Sequence, residues 1–297
     1  MIGRLATRLD TESPRALRQV VQRAQSPGYG YIALDRCAIR YRAHGRGART
    51  FVFAADPPIV LEHYDALVAE LVVHGRVIVF ELPGFGFSPA AHGFDFSFAS
   101  AVATVAAFLD RLEVRDATLC FPCLSGLIAA GVATARPELV RALVLAQTPS
   151  RAGAEAWARG RDPKRIIRRP IVGQLAMRAL KIKRAPDWFG VAVDAGAAAA
   201  LTPLAVASLR AGARWSLASA FQRFFGETPA PVAQPIVALW GLRDRSHALT
   251  DRASSRALGR SVRLLEWDDA GHFPELEQPA RFARLLVAEP VEVVADL

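Results

Sequence analysis

No run of about 18 or more consecutive apolar residues occurs in this chain, so nothing in it reads as a membrane-spanning helix. That holds although 52% of its 297 residues are hydrophobic and the mean hydropathy is +0.20. The first ten residues interleave Arg4 and Arg8 with apolar positions and lack the continuous apolar stretch of a secretory leader. Cysteine is scarce. Cys37, Cys120 and Cys123 are an odd count without framework spacing, which fits a reducing compartment, and a soluble cytoplasmic chain is expected. The six histidines are scattered, with no H-E-x-x-H run and no paired Cys/His spacing, so no metal is expected. Gly84 and Gly86 form G-x-G without the third glycine of a dinucleotide fingerprint, and no cofactor is expected. Acidic residues are outnumbered, 28 against 37 Lys and Arg. That excess does not point to nucleic acid, because no recognised binding module accompanies it and stacking aromatics are not interleaved with the charges.

What is present is an alternation of apolar strands and amphipathic helices. Strands are expected near 31–34, 38–42 and 50–54, at Val77–Phe80, at Ala117–Cys120, at Leu143–Ala146 and at Pro235–Leu239. Helical spacing recurs near 59–72 (Tyr64, Leu67, Val68, Leu71) and near 97–112 (Val102, Val105, Leu109, Leu112). Strands alternating with helices imply a mostly parallel central sheet flanked by helices, an α/β fold. An extra helix is expected near 13–25, opened by Ser13 and Pro14, so that residues 1–28 form an N-terminal helical segment. Residues 151–232 break the alternation and read as a helical insertion. The α/β core is then 29–150 and 233–297.

The stretch from Ala117 to Ala130 reads as a short strand, a tight turn and an Ala-rich helix. A nucleophile elbow has this form: the side chain at the turn is lifted above the sheet, and the next backbone N–H and the helix N-terminus stabilise negative charge. Cys123 is the expected nucleophile. Ser125 fits the small position two residues after it, whereas Phe121 occupies the position two before, where Gly is usual. The alternative register, with Ser125 as nucleophile, puts Leu127 on a small position and lengthens the strand by two residues. Cys120 and Cys123 also spell C-x-x-C, which leaves open a redox role or a disulfide that silences Cys123.

Several further segments resemble the α/β-hydrolase superfamily in its cap-containing form. Glu81-Leu82-Pro83-Gly84-Phe85-Gly86-Phe87-Ser88 resembles D-x-x-G-x-G-x-S with Glu for Asp. Trp240-Gly241-Leu242-Arg243-Asp244 is similar to the W-G-x-x-D segment that carries the triad acid, and Gly271-His272-Phe273-Pro274 to the segment that carries the triad histidine. The resemblance implies an α/β-hydrolase fold with a helical cap and a triad of Cys123, Asp244 and His272 in the family's chain order. His272 would lower the thiol pKa from its usual value of about 8.5, and Asp244 would fix the ring's tautomer. The oxyanion donors implied are the backbone N–H groups of Leu124 and Asp56. Ala54-Ala55-Asp56-Pro57 replaces the usual H-G-x-P there, and a carboxylate at Asp56 would oppose a developing oxyanion unless it points away or is neutralised.

The reaction expected is acyl transfer through an acyl-cysteine, from an ester, lactone or thioester, ending in hydrolysis, transfer or cyclisation. The alternatives are a Ser125 esterase and a fold that has lost the chemistry and only binds a ligand. From Arg151 to Ala185 there are eleven Lys or Arg against Glu155 and Asp162. This basic cap is either a solvated face, a membrane-contacting face, or a dock for CoA or an acidic acyl carrier protein. Trp157, Trp188, Phe189, Trp215, Phe221, Phe224 and Phe225 lie in the same insertion, and some of them are expected to line an apolar pocket.

Overall fold

Unbroken apolar runs become strands covered on both faces, and the alternation of side chains then divides each run between two cores. The computed structural model describes residues 2–23, 28–226 and 230–288. In chain order the elements are α1 (Ile2–Leu9), α2 (Pro14–Arg23), β1 (Gly30–Leu34), β2 (Cys37–His44), β3 (Thr50–Ala55), α3 (Asp65–Leu71), β4 (Arg76–Glu81), β5 (Phe85–Gly86) and α4 (Phe98–Arg111). Then come β6 (Ala117–Cys120), α5 (Cys123–Ala135) and β7 (Val140–Ala146). The helices α6 (Arg151–Arg161), α7 (Val172–Ala192), α8 (Ala195–Arg210) and α9 (Leu217–Arg223) follow, with the short β8 (Arg214–Trp215) between the last two. The chain returns to the sheet at β9 (Ile236–Gly241) and β10 (Val262–Trp267) and closes with α10 (Pro274–Glu277) and α11 (Pro279–Ala288).

Eight strands form the main sheet in the order β1-β2-β4-β3-β6-β7-β9-β10. All pairs are parallel except β1 with β2 and β2 with β4. Phe53 sits opposite Val79 on one side and Cys120 on the other. Val52, Ala54, Ile78, Phe80, Leu119 and Leu143 face the core shared with α4 and α5. Phe51, Phe53, Val77, Val79, Val144 and Val237 face the opposite core, shared with α3 and α11. This is the α/β-hydrolase architecture that the resemblance implies. The Ser97 hydroxyl accepts the Ser100 N–H at 3.1 Å and so starts α4; Ser150 caps α6 in the same way through Gly153 at 3.2 Å.

The expected strands and helices are all present, the one near 59–72 as a tight turn at Leu61–Tyr64 that leads into α3. The expected helix near 13–25 is α2, whose Leu17 packs on Ala38 and Ala91; residues 24 and 25 lie outside the described residues. The helix α1, the strand β10 and the small β5–β8 ribbon were not anticipated.

Candidate active site

The carboxyl ends of the parallel strands converge on one edge of the sheet, where ligands bind in open α/β sheets. Asp56 follows β3, Cys123 follows β6, Asp244 follows β9 and His272 follows β10. Pro122 is extended (φ −89°, ψ 160°), and Cys123 then turns into the left-handed region at φ 52° as the first residue of α5. A non-glycine residue held there costs about 1–3 kcal/mol, and such residues cluster at functional sites. The Thr148 hydroxyl supports the turn, lying 3.0 Å from the carbonyls of both Cys123 and Ala146. Cys123 lines a cavity of about 350 Å³. Ser125 does not line it; its buried hydroxyl donates back to the Pro122 carbonyl. Phe121, where Gly is usual, is fully buried against Phe80 with ring centroids 5.4 Å apart, so the large side chain fills core space. Cys120 is a buried free thiol among the core residues beside Phe53 and Val144.

His272 and Asp244 meet through a 2.6 Å hydrogen bond between Nδ1 and Oδ2. The same carboxylate accepts the Gln147 Nε2–H at 2.7 Å, and its other oxygen accepts the Ser246 N–H at 2.8 Å. Gln147, which sequence reasoning missed, also accepts the Gly241 N–H at 3.0 Å and so ties β7 to β9 just below the acid. Glycine at 241 and 271 has a packing reason. A Cβ on Gly241 would lie 2.0 Å from the Gly271 carbonyl oxygen, and one on Gly271 would lie 2.6 Å from that of Ala192. The His272 N–H donates to the Ala192 carbonyl at 2.8 Å, and Glu277 accepts the N–H groups of Gly271 and Phe273 at 2.9 and 3.0 Å. The loop carrying His272 is thereby held from both sides.

Burial raises the Asp244 carboxyl, but the charge and hydrogen bond of His272, with His247 beside it, outweigh that and hold it down at about 2. Burial alone would lower His272; Asp244 chiefly, with Asp56 and Cys123, carries it well above the ordinary histidine range. The ring is therefore an imidazolium at neutral pH. Its Nε2 has no hydrogen-bond partner among the described residues. Behind it the His247 ring stacks at 5.5 Å, and Trp157 stacks on His247 at 4.9 Å. Burial, together with the His272 and Arg161 charges, pushes His247 down to about 3, so it is a neutral plate.

The Asp56 carboxylate does not point away. It is turned onto His272, with Oδ2 3.7 Å from Nε2. One donor atom from each of Asp56, Cys123 and His272 lies within 4.8 Å of the other two; a second such group is Asp244, His247 and His272. Either set could hold a small cation, and both share the one imidazole. Burial raises the Cys123 thiol, the Asp56 charge adds to this, and His272 opposes it without cancelling it. Asp56 is itself raised by burial, against the pull of His272. Two acidic groups thus compete for one imidazolium. The Leu124 N–H lies in the first turn of α5, where intrahelical acceptors are lacking. The Asp56 N–H meets no protein acceptor among the described residues.

Four of the seven insertion aromatics, Trp157, Trp188, Trp215 and Phe221, line the cavity, whereas Phe189 and Phe224 are core. Trp188 stands edge-on to His272 at 5.0 Å. Among the basic residues of the insertion, Arg161, Lys183 and Arg184 reach the cavity wall, beside the acidic Asp187. No helix among the described residues is long and apolar enough to cross a membrane.

The solved structures similar to this chain share its fold. The epoxide hydrolase A of Mycobacterium thermoresistibile superposes with a TM-score of 0.71 at 16% identity, covering 89% of this chain and 98% of that one. The enol-lactonase of Burkholderia xenovorans gives 0.65 at 20% identity, covering 87% and 98%. In sequence, 2-hydroxy-6-oxo-2,4-heptadienoate hydrolase of Pseudomonas putida is 33% identical over 102 residues, which is 31% of this chain and 37% of that protein. The chain therefore matches little more than a third of that relative's length. The family described as "Alpha/beta hydrolase family" matches residues 43–285, from β2 through to α11. With that span taking in Cys123, Asp244 and His272 at the ends of β6, β9 and β10, this chain belongs to the alpha/beta hydrolase family.

Proposed function

We propose that this enzyme cleaves small acyl substrates through a covalent acyl-Cys123 intermediate. The observation that carries the reading is Cys123 itself, a thiol at φ 52° on the elbow, lining the cavity and within 4.8 Å of His272. The free base in reach of the thiol proton is the Asp56 carboxylate, which the His272 imidazolium faces. Substrate entering between Leu124 and Asp56 excludes water. The Cys123 proton passes to the Asp56–His272 pair, and the sulfur attacks the carbonyl carbon while its π pair moves to oxygen. The N–H groups of Leu124 and Asp56 receive that oxyanion. Collapse expels the leaving group, which takes a proton from His272 Nε2, and the thioester remains on Cys123. Water, or another acceptor, then gives its proton to His272 and attacks the thioester, which releases the acid and restores the thiol.

Asp56 takes a defined part in this cycle. With His272 protonated, the Asp56 carboxylate is paired and its charge at the oxyanion site is largely offset, which meets the electrostatic objection raised by the sequence. Esters, lactones and thioesters all suit the scheme. A donor carried on CoA or on an acidic acyl carrier protein suits the exposed Lys164, Arg165 and Arg169, which border the insertion's outer face. Intact-mass spectrometry of the enzyme with aryl esters and N-acetylcysteamine thioesters tests the reading. An acyl increment mapped to Cys123, absent in Cys123→Ala, is expected; turnover without any adduct and undiminished in Cys123→Ala would sink it.

A further inference from the structure

We infer that the substrate carries an anionic group, a carboxylate or a phosphate, and that Arg161 in the cavity wall binds it. The inference deepens the acyl-Cys123 reading and rests on it for the position of the scissile bond. Arg161 ends α6, and its guanidinium lies over the face of Trp188, 5.4 Å from the ring centroid. That ring stands edge-on to His272, so a single aromatic ring separates the guanidinium from the base. Three other arginines of the insertion have a carboxylate to answer them: Arg168 pairs with Asp162, Arg214 with Glu12, and Arg159, on the same helix, with Glu155. Arg161 has no carboxylate or carbonyl hydrogen-bond partner among the described residues, and its guanidinium lies against Trp188.

The surrounding charge has the same sign. Arg184 and Lys183 line the same wall, and Arg184 is close enough to oppose the Arg161 charge. Partial burial also acts against that charge, while the nearest buried carboxylate that favours it, Asp244, is already engaged by His272 and Gln147. Asp56 is matched by His272, so three cations face Asp187 alone. A planar guanidinium stacked on an indole presents its N–H edge, the geometry that takes a carboxylate or phosphate by two parallel hydrogen bonds. The Trp188 and Trp157 faces below would hold the apolar chain that joins the anion to the acyl carbon. An apolar cavity with one oriented charge of this kind selects by both shape and sign.

Matched substrates test this. Glutaryl and pentanoyl groups differ chiefly in the terminal carboxylate, and each can be offered as an N-acetylcysteamine thioester, without phosphate, and as a CoA thioester. If the anion belongs to the acyl chain, wild type should favour glutaryl over pentanoyl by roughly ten- to a hundred-fold in kcat/KM on both carriers. Arg161→Gln should erase that preference, lowering glutaryl turnover at least ten-fold more than pentanoyl turnover, and Arg161→Lys should keep part of it. A preference for CoA over N-acetylcysteamine that vanishes in Arg161→Gln, with no preference between acyl groups, assigns the anion to the phosphates instead. Equal rates on all four substrates, or an Arg161→Gln variant slowed equally on all four, would overturn the proposal. The nucleophile is judged separately: persistent discrimination in a Cys123→Ala enzyme that still turns over would remove the acyl-Cys123 reading and leave the anion site standing.

Discussion

The floor of the active site and its roof are built on opposite principles. On the floor, at the strand ends, the Asp244–His272 pair is buried and multiply held: Asp244 accepts from His272, Gln147 and Ser246, and the His272 loop is tied to Ala192 and Glu277. On the roof, α6 and α7 expose Leu175, Leu180 and Ile182 beside basic side chains, and Arg161 meets no anion among the described residues. A floor held in this way fixes the positions of reacting atoms closely, as proton transfer and nucleophilic attack require. A roof with unanswered charge is matched instead to whatever enters. The difference places the reaction type in the floor and substrate choice in the roof.

Two floor substitutions put the largest effects on that comparison. Cys123→Ala should abolish the acyl adduct and lower turnover by a factor on the order of a thousand or more, with the fold intact, because the residue contributes its sulfur and little packing. Asp244→Asn should lower kcat by roughly a thousand- to ten-thousand-fold, since Nδ1 loses the acceptor that sets its tautomer. The same substitution should change acid stability. The folded carboxyl sits at about 2, below its ordinary value of 3.8, so its stabilisation is complete above that ordinary value and disappears as pH falls through the folded one. The contribution is roughly 2 kcal/mol, and thermal melts between pH 2 and 5 should be flatter in the variant. A roof variant with losses as large would erase the distinction between the two regions.

Asp56→Asn should have a smaller effect with a specific sign. In the native site Asp56 and Cys123 compete to be the anion beside one imidazolium, and the Asp56 charge raises the thiol. Removing that charge leaves Cys123 as the partner of His272, so its pKa should fall. Iodoacetamide alkylation mapped to Cys123 should then begin at lower pH in the variant. Cys37 and Cys120 should stay unreactive, since burial pushes the first up to about 12 and the second well above the ordinary thiol range. An unchanged alkylation profile would mean that Asp56 does not share the proton.

The elements of floor and roof are legible in the sequence and the contacts between distant residues are not, for physical reasons. Unbroken apolar strands and the segments around Cys123, Asp244 and His272 are local patterns, because a strand end and its turn are decided within a few residues. Gln147 is also next to a strand, yet its partner Asp244 arrives only because β7 and β9 are neighbours in the sheet. The direction of the Asp56 carboxylate depended on a histidine more than two hundred residues away. The strand β10 escaped notice because Arg263 and Glu266 interrupt its apolar character, as suits an edge strand. Arg161 looked like one of eleven similar cations until the packing of α6 against Trp188 set it apart.

The smallest expected effect lies on the outer face of the roof, where Lys164 and Arg169 are exposed and form no ion pair among the described residues. Substituting both with Gln removes two exposed positive charges, so stability should change by less than about 0.5 kcal/mol per site. Turnover of N-acetylcysteamine thioesters should be unchanged. A carrier protein is different, because its acidic surface has to approach this face before the acyl group can reach Cys123, and such steering acts mainly on the rate of encounter. With an acyl carrier protein as donor, kcat/KM at low salt should fall by roughly two- to five-fold in the double variant, and the deficit should close as salt shortens the Debye length to about 3 Å at 1 M. A deficit that is the same for carrier and free thioester would place these residues within the cavity's own influence, and no deficit on either would make the outer face a solvated surface and confine the roof's selectivity to the wall around Arg161.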